Sequence, residues 1–201
     1  MNPGLLVVLS GPAGVGKGTI VRKMLEKDSK FVLSISATSR IPRATESEGK
    51  NYYFKTREKF EEMIKNDELV EWVEYCGNYY GTPRALVCNE IEKGNVVILE
   101  IEVDGAINVK RLFPECVLCF IIPPDFSELE KRLRGRGTDT EDSIINRLER
   151  ARDEFKYIDS YDYLILNDSI ENAAQRFFNV VQAEQMRTNR NQLLIEKFRN
   201  I

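Results

Sequence analysis

Lys17 and the glycines ahead of it are the residues of this chain best suited to chemistry on phosphate. An apolar run over residues 5–9 ends in a turn with Gly11, four intervening residues, and then Gly16-Lys17 at the start of a helical pattern. Glycine lets the backbone fold tightly and turn its N–H groups inward around phosphate oxygens, where a Cβ would block the approach. Lys17 adds a point charge at a helix N-terminus, aimed at the β- and γ-phosphates of a nucleoside triphosphate. Gly11, Pro12, Ala13, Gly14, Val15, Gly16, Lys17, Gly18 and Thr19 therefore form a candidate triphosphate site. The hydroxyl that usually follows the lysine is displaced by one place, from Gly18 to Thr19. That leaves the anion nest intact but weakens a direct bond from this loop to Mg²⁺.

A second cluster is Arg40-Ile41-Pro42-Arg43, followed by Tyr52. The proline prevents helix and stiffens the loop, so two guanidinium forks are held close together. Such a pair, with a tyrosine hydroxyl beside it, suits a phosphomonoester dianion. A solvated basic turn with Tyr52 packed on it is the other reading of the same residues. The chain has no histidine. Histidine bases, histidine-containing triads and histidine metal sites are thereby excluded, and catalysis must rest on Lys, Arg, carboxylates and a metal ion. Phosphoryl transfer to an already anionic phosphate oxygen is chemistry of that kind.

These groups need a scaffold. Apolar runs at 5–9, 31–35, 96–101, 116–122 and 163–166 alternate with helical patterns beginning near Gly16, Asp104, Phe126 and Thr140, and a long C-terminal one from about Ile170. The alternation predicts an α/β fold with a parallel sheet covered by helices on both faces. Ligands bind beyond the carboxyl ends of such strands, which puts the glycine loop, Ser36, Glu100 and Asn167 along one edge. Residues 37–90, with a helix over 56–65 and strands around 69–75, read as one inserted subdomain. Residues 126–157, dense in arginine, read as another. Core segments are then 1–36, 91–125 and 158–201.

At 201 residues, 42% hydrophobic and 30% charged, the chain suits a globular protein with a full core. A net charge of −3 argues against broad nucleic-acid binding. No apolar stretch nears the roughly 20 residues a membrane span needs, and the N-terminus lacks the features of a secretory signal. A cytoplasmic protein without membrane or nucleic-acid partners is expected. Cys116 and Cys119 lie three apart on a predicted strand, facing opposite sides, so an ordinary disulfide between them is not expected.

Together with Glu71-Trp72, Gly77-Asn78-Tyr79-Tyr80-Gly81-Thr82, Leu99-Glu100-Ile101-Glu102-Val103-Asp104-Gly105 and Arg136-Gly137-Thr138-Asp139, these motifs resemble the guanylate kinase family, in order from about residue 5 to Asp168. The resemblance implies a P-loop core, a small GMP-binding subdomain and a helical lid, with ATP and Mg²⁺ as co-substrate and cofactor. It implies transfer of the γ-phosphoryl of ATP to GMP, and to dGMP with it. Another nucleoside monophosphate kinase and a non-catalytic protein-binding module of the same fold are the competing readings. By resemblance, Ser36, Glu71 and Thr82 contact guanine, and Arg40, Arg43, Tyr52 and Tyr80 hold the GMP phosphate. A carboxylate at Glu71 suits the N1–H and N2 donors of guanine and repels the N1 acceptor of adenine. Thr82-Pro83 also reads as a helix N-cap followed by proline at the first helical position. Glu100 and Glu102, on one strand face, are acids for Mg²⁺ or acceptor, with Thr19 a further metal candidate. Arg132, Arg136 and Arg147 match the lid, and Asn167 the adenine contact. Arg134, Arg150 and Arg152 read as surface arginines in helix salt bridges.

Overall fold

The computed structural model describes residues 4–75, 77–135 and 140–199. Its centre is a parallel sheet of β1 (Leu5–Ser10), β2 (Phe31–Leu33), β7 (Val96–Glu100), β8 (Val117–Ile122) and β9 (Tyr163–Leu166), in the order β2-β7-β1-β8-β9. Side chains alternate across a strand, and the sequence uses both faces. From β1, Leu5, Val7 and Leu9 enter one apolar cluster while Leu6 and Val8 enter the other. Such two-sided burial explains why these strands read as continuous apolar runs rather than alternating ones.

The first face is covered by α1 (Lys17–Lys27), α5 (Phe126–Arg134), α6 (Glu141–Phe155) and α7 (Ile170–Met186). The second is covered by α3 (Arg84–Glu92) and α4 (Val103–Leu112). Fully burying a Leu, Ile or Phe contributes about 1.5–3 kcal/mol, and Leu9, Ile20, Ile98, Leu118 and Phe177 are all buried here. Cys119 belongs to the first cluster and Cys116 to the second, so the two thiols lie on opposite faces as expected. Burial raises both, that of Cys116 to about 11.

A second sheet stands beyond the carboxyl end of the first. It holds β3 (Ala37–Thr38), β4 (Tyr53–Phe54), β5 (Leu69–Tyr75) and β6 (Asn78–Pro83), in the order β4-β3-β6-β5. Its helix α2 (Arg57–Lys65) starts behind Thr56, whose hydroxyl accepts from Lys59 N. This sheet has a small apolar cluster of its own, Ala37, Phe60, Met63 and Leu69. The span 37–90 ends inside α3, and Val87 of that helix packs into the main core.

The long C-terminal helix begins at Ile170 as expected and runs to Met186, and α8 (Gln192–Arg199) follows a 3₁₀ turn at Thr188–Arg190. Asn191 Nδ2 donates to Gln185 O at 2.7 Å and Arg187 O at 2.9 Å, serving carbonyls that helix ends leave open. Pro83 ends β6 and α3 begins at Arg84, so Thr82 is a strand residue and not an N-cap. Finally, β7 ends at Glu100 and α4 starts at Val103, which makes Glu102 a helix-cap position rather than a neighbour on the strand face. Among the described residues, no helix is long and apolar enough to cross a membrane.

Candidate active site

The phosphate loop leaves β1 and enters α1 with three glycines in the positive-φ region, Gly11 at 136°, Gly14 at 87° and Gly16 at 100°. A Cβ on Gly11 would lie 2.5 Å from Ile121 O, so the residue is required by space as well as by backbone angle. Helices α2, α5, α6 and α7 all begin behind a side-chain cap. By contrast α1 begins behind Gly16, with no side-chain cap and no acid in its first turn. Its leading N–H groups are left for an anion. Lys17 folds over this nest, its ammonium donating to Gly11 O and, at 3.3 Å, to Pro12 O. Thr19 lies within α1, one turn position past the loop.

Lys17 also lines a cleft of about 610 Å³ between the two sheets, which Ser36, Tyr52, Glu71, Tyr80, Glu100 and Glu102 share. Glu71 is only 6% exposed. The antiparallel register of β5 and β6 pairs Trp72 with Gly81 but Leu69 with Pro83, and this slip turns Glu71 inward while Trp72 stays 43% exposed. Glu71 is thus not the solvent-facing residue that simple alternation along a strand would allow. Glu71 Oε1 accepts the hydroxyl proton of Thr82 at 2.8 Å. The hydroxyl expected to serve guanine is spent here on holding the carboxylate. Oε2 lies on the side of Gly105, where a Cβ would come within 3.4 Å of it. Burial lifts the Glu71 carboxyl to about 6, with the Thr82 bond pulling the other way.

Around Arg40 the geometry is a clamp. Its Nη2 donates to both oxygens of Glu46, at 2.8 and 3.0 Å, and Nη1 donates to Ile41 O at 2.9 Å. Glu46 also accepts from Arg43 N at 2.8 Å, so one carboxylate holds both ends of the Arg40–Arg43 turn. The Glu46 bond, with Tyr80 adding to it, raises the Arg40 pKa further. The Arg40 guanidinium lies over the Tyr52 ring at 5.6 Å, and Tyr52 meets Tyr80 edge-on at 5.9 Å. Burial raises the Tyr52 hydroxyl. Arg43 is exposed.

On the acid side of the cleft, the Glu100 carboxylate lies 3.5 Å from where a Cβ on Gly18 would stand. Burial raises the Glu100 carboxyl, Lys17 lowers it, and Glu102 raises it again. The 3.5 Å separation is an ordinary van der Waals distance, so Gly18 and the Glu100 carboxylate are neighbours across the cleft without glycine being required there. Among the described residues no group of three or more Asp, Glu, Cys or His is arranged to cage a metal. Glu102 faces α6: Arg150 Nη2 donates to it at 3.4 Å, and Arg150 Nε donates to Glu154 at 3.0 Å. Burial and the neighbouring Glu102 raise the Glu154 carboxyl.

Arg150 is salt-bridged as expected, but it also lines the cleft, a role that its i,i+4 spacing to Glu154 could not reveal. Arg134 pairs with Glu130 and Glu141, and Arg152 lies over Phe126. Arg132 bonds Glu128 and the Asn167 carbonyl, beside the phosphate loop. Arg147 is half-buried on α6. Arg136 lies outside the described residues. Asn167, expected at the adenine base, is buried and donates to the loop at Val15 O.

The guanylate kinase family model matches residues 4–184. The chain belongs to the guanylate kinase family. A guanylate kinase of Streptococcus thermophilus is 50% identical over 199 residues, covering 98% of this chain and 94% of the relative. One from Bacillus anthracis is 52% identical over 188 residues, covering 93% and 92%. The crystal structure of guanylate kinase from Anaplasma phagocytophilum is 36% identical, with a TM-score of 0.77 over 98% of this chain and 96% of that one. The match thus spans the loop, the cleft and helices α5 and α6 together.

Proposed function

We propose that this guanylate kinase family member transfers the γ-phosphoryl group of ATP to GMP, and to dGMP, giving ADP and GDP in cytoplasmic purine nucleotide metabolism. The observation that carries the reading is Glu71, a buried carboxylate whose Oε1 is fixed by Thr82 in a cleft shared with Lys17. Its oxygens accept the N1–H and N2 donors of guanine, and Ser36 donates to the same base. Arg40 and Arg43, with Tyr52 and Tyr80, hold the GMP phosphate. Residues 11–19 cradle the ATP phosphates, and Lys17 stabilises charge on the transferring group.

The lid span 126–157, carrying Arg132, Arg136 and Arg147, and the acceptor span 37–90 close on the core. Closure excludes water, which would otherwise take the γ-phosphoryl. The donor set fits Mg²⁺ held mainly by phosphate oxygens and water, with Glu100 and Glu102 as the available carboxylates. When bound, the ion neutralises charge between the β- and γ-phosphates.

The test is a coupled assay of ADP formation with ATP against GMP, dGMP, AMP, CMP and UMP. GMP and dGMP should turn over, and the other three should show kcat/KM at least about 100-fold lower, because a site built around hydrogen bonds rejects bases that lack them. AMP turned over as well as GMP would remove the guanine-specific part of the reading.

A further inference from the structure

Asn167 directly follows β9, is 1% exposed, and turns its carboxamide toward the phosphate loop. Its Nδ2 donates to Val15 O at 2.7 Å, joining groups 152 positions apart in the chain. The orientation is dictated by the partner, since a carbonyl can only accept. Nδ2 also lies 2.5 Å from where a Cβ on Gly16 would stand, so the carboxamide fills the space left by that glycine. Asn167 is itself held at both backbone groups: its N–H donates to Ile122 O at 2.7 Å, and its carbonyl accepts Arg132 Nη2 at 3.1 Å. Its Oδ1 is buried with no hydrogen-bond partner among the described residues. An orphaned oxygen is costly to keep, and the donor end is what this side chain contributes in exchange.

We propose that Asn167 is a positioning residue of the phosphate loop. It fixes the Val15–Gly16 crown so that the loop N–H groups stay turned toward the phosphates, and it does not read the adenine base. Through Arg132 it also ties the setting of the loop to α5, the first helix of the lid span. The inference rests on the reading of residues 11–19 as the triphosphate site.

The experiment uses N167A and N167D in the full chain. N167D is equal in size, so packing is kept while an acceptor replaces the donor facing Val15 O. The measurements are KM for ATP, KM for CTP as a donor with a different base, and Ki of inorganic tripolyphosphate against ATP. The Kd of GMP alone reports whether the fold and acceptor site survive. All three donor-side constants should rise together, by about tenfold in N167A and more in N167D, with GMP affinity unchanged. A rise for ATP alone, with CTP and tripolyphosphate unmoved, would show a base contact and overturn the proposal. So would no change at all, or an equal loss of GMP binding, which would mark a general folding role. K17A is measured in parallel. If K17A leaves the tripolyphosphate Ki unmoved, the assignment of the loop itself fails. If K17A weakens it and the Asn167 variants do not, only the positioning role falls.

Discussion

Around Lys17 the groups proposed to face phosphate are backbone N–H donors on a turn shaped by Gly11, Gly14 and Gly16. Around Arg40 they are side chains, aimed by other side chains: Glu46 grips the guanidinium, and Tyr52 and Tyr80 wall it. A backbone nest is set by covalent geometry and recognises phosphate of any nucleotide. A side-chain clamp is adjustable, and each of its members needs a further residue to hold it. The same contrast runs through the base site, where Glu71 depends on Thr82. On the proposed reading, one molecule pairs a generic donor site with a selective acceptor site, and the selectivity lies where partners are stacked two deep.

The largest effect expected is that of Lys17→Ala. The ammonium is the side-chain charge carried by the loop's own helix start, and its loss should lower kcat on the order of 10²–10³-fold. ADP binding, carried by backbone, should weaken far less. A variant that keeps more than about a tenth of the wild-type rate would mean that the backbone alone does the electrostatic work.

Glu71→Gln is next. An amide now faces the guanine donors with a donor of its own, so GMP kcat/KM should fall roughly 10- to 300-fold while AMP gains in relative use. Both substrates are measured at saturating ATP, and an unchanged GMP-to-AMP ratio removes Glu71 from the base site. The same pair of proteins carries a pH signature. The Glu71 carboxyl is lifted from 4.5 to about 6 by burial, so the folded state holds the proton more tightly than the unfolded chain. The associated stability is full below about pH 4.5 and is lost as pH rises through about 6, amounting to about 2 kcal/mol. Gln does not titrate. The difference in unfolding free energy between wild type and variant should therefore shift by that amount between about pH 4 and 8; a flat difference means a solvated carboxylate. Below about pH 6 wild-type GMP kcat/KM should also fall, because guanine needs the ionised form.

The smallest effect belongs to the outer layer. Glu46→Gln keeps the size but frees one arm of Arg40, and should raise the GMP KM about fivefold with kcat and the ATP KM near their original values. Equal changes in the ATP KM would show that Glu46 serves the whole fold rather than the clamp.

Much of this arrangement is legible in the sequence, for physical reasons that differ by region. Strands β1, β7 and β8 are buried on both faces, so they stand out as apolar runs, and the loop is written in glycine because no other residue fits its backbone. Thr56 and Thr140 announce their helices because caps act locally. The base site is legible only through the family resemblance, since nothing local says that Glu71 turns inward. That goes with the register slip between Leu69 and Trp72, while Thr82 loses the cap position because α3 begins only at Arg84. Asn167 looks like an ordinary turn residue until Val15 is brought beneath it. Arg150 looks like a surface arginine until Glu102 is brought across from the core. Contacts between distant segments are set by packing, and the intervals between residues do not record them.

All six residues of β1 are buried, and the strand is hydrogen-bonded on both sides, to β7 and to β8. Its amide hydrogens can exchange with solvent only when the whole sheet comes apart. The second sheet, with a cluster of four buried residues of its own, should open at a lower free energy. On the proposed assignment, the acceptor side should therefore open before the donor side, and a chain on the verge of unfolding should still present its phosphate loop.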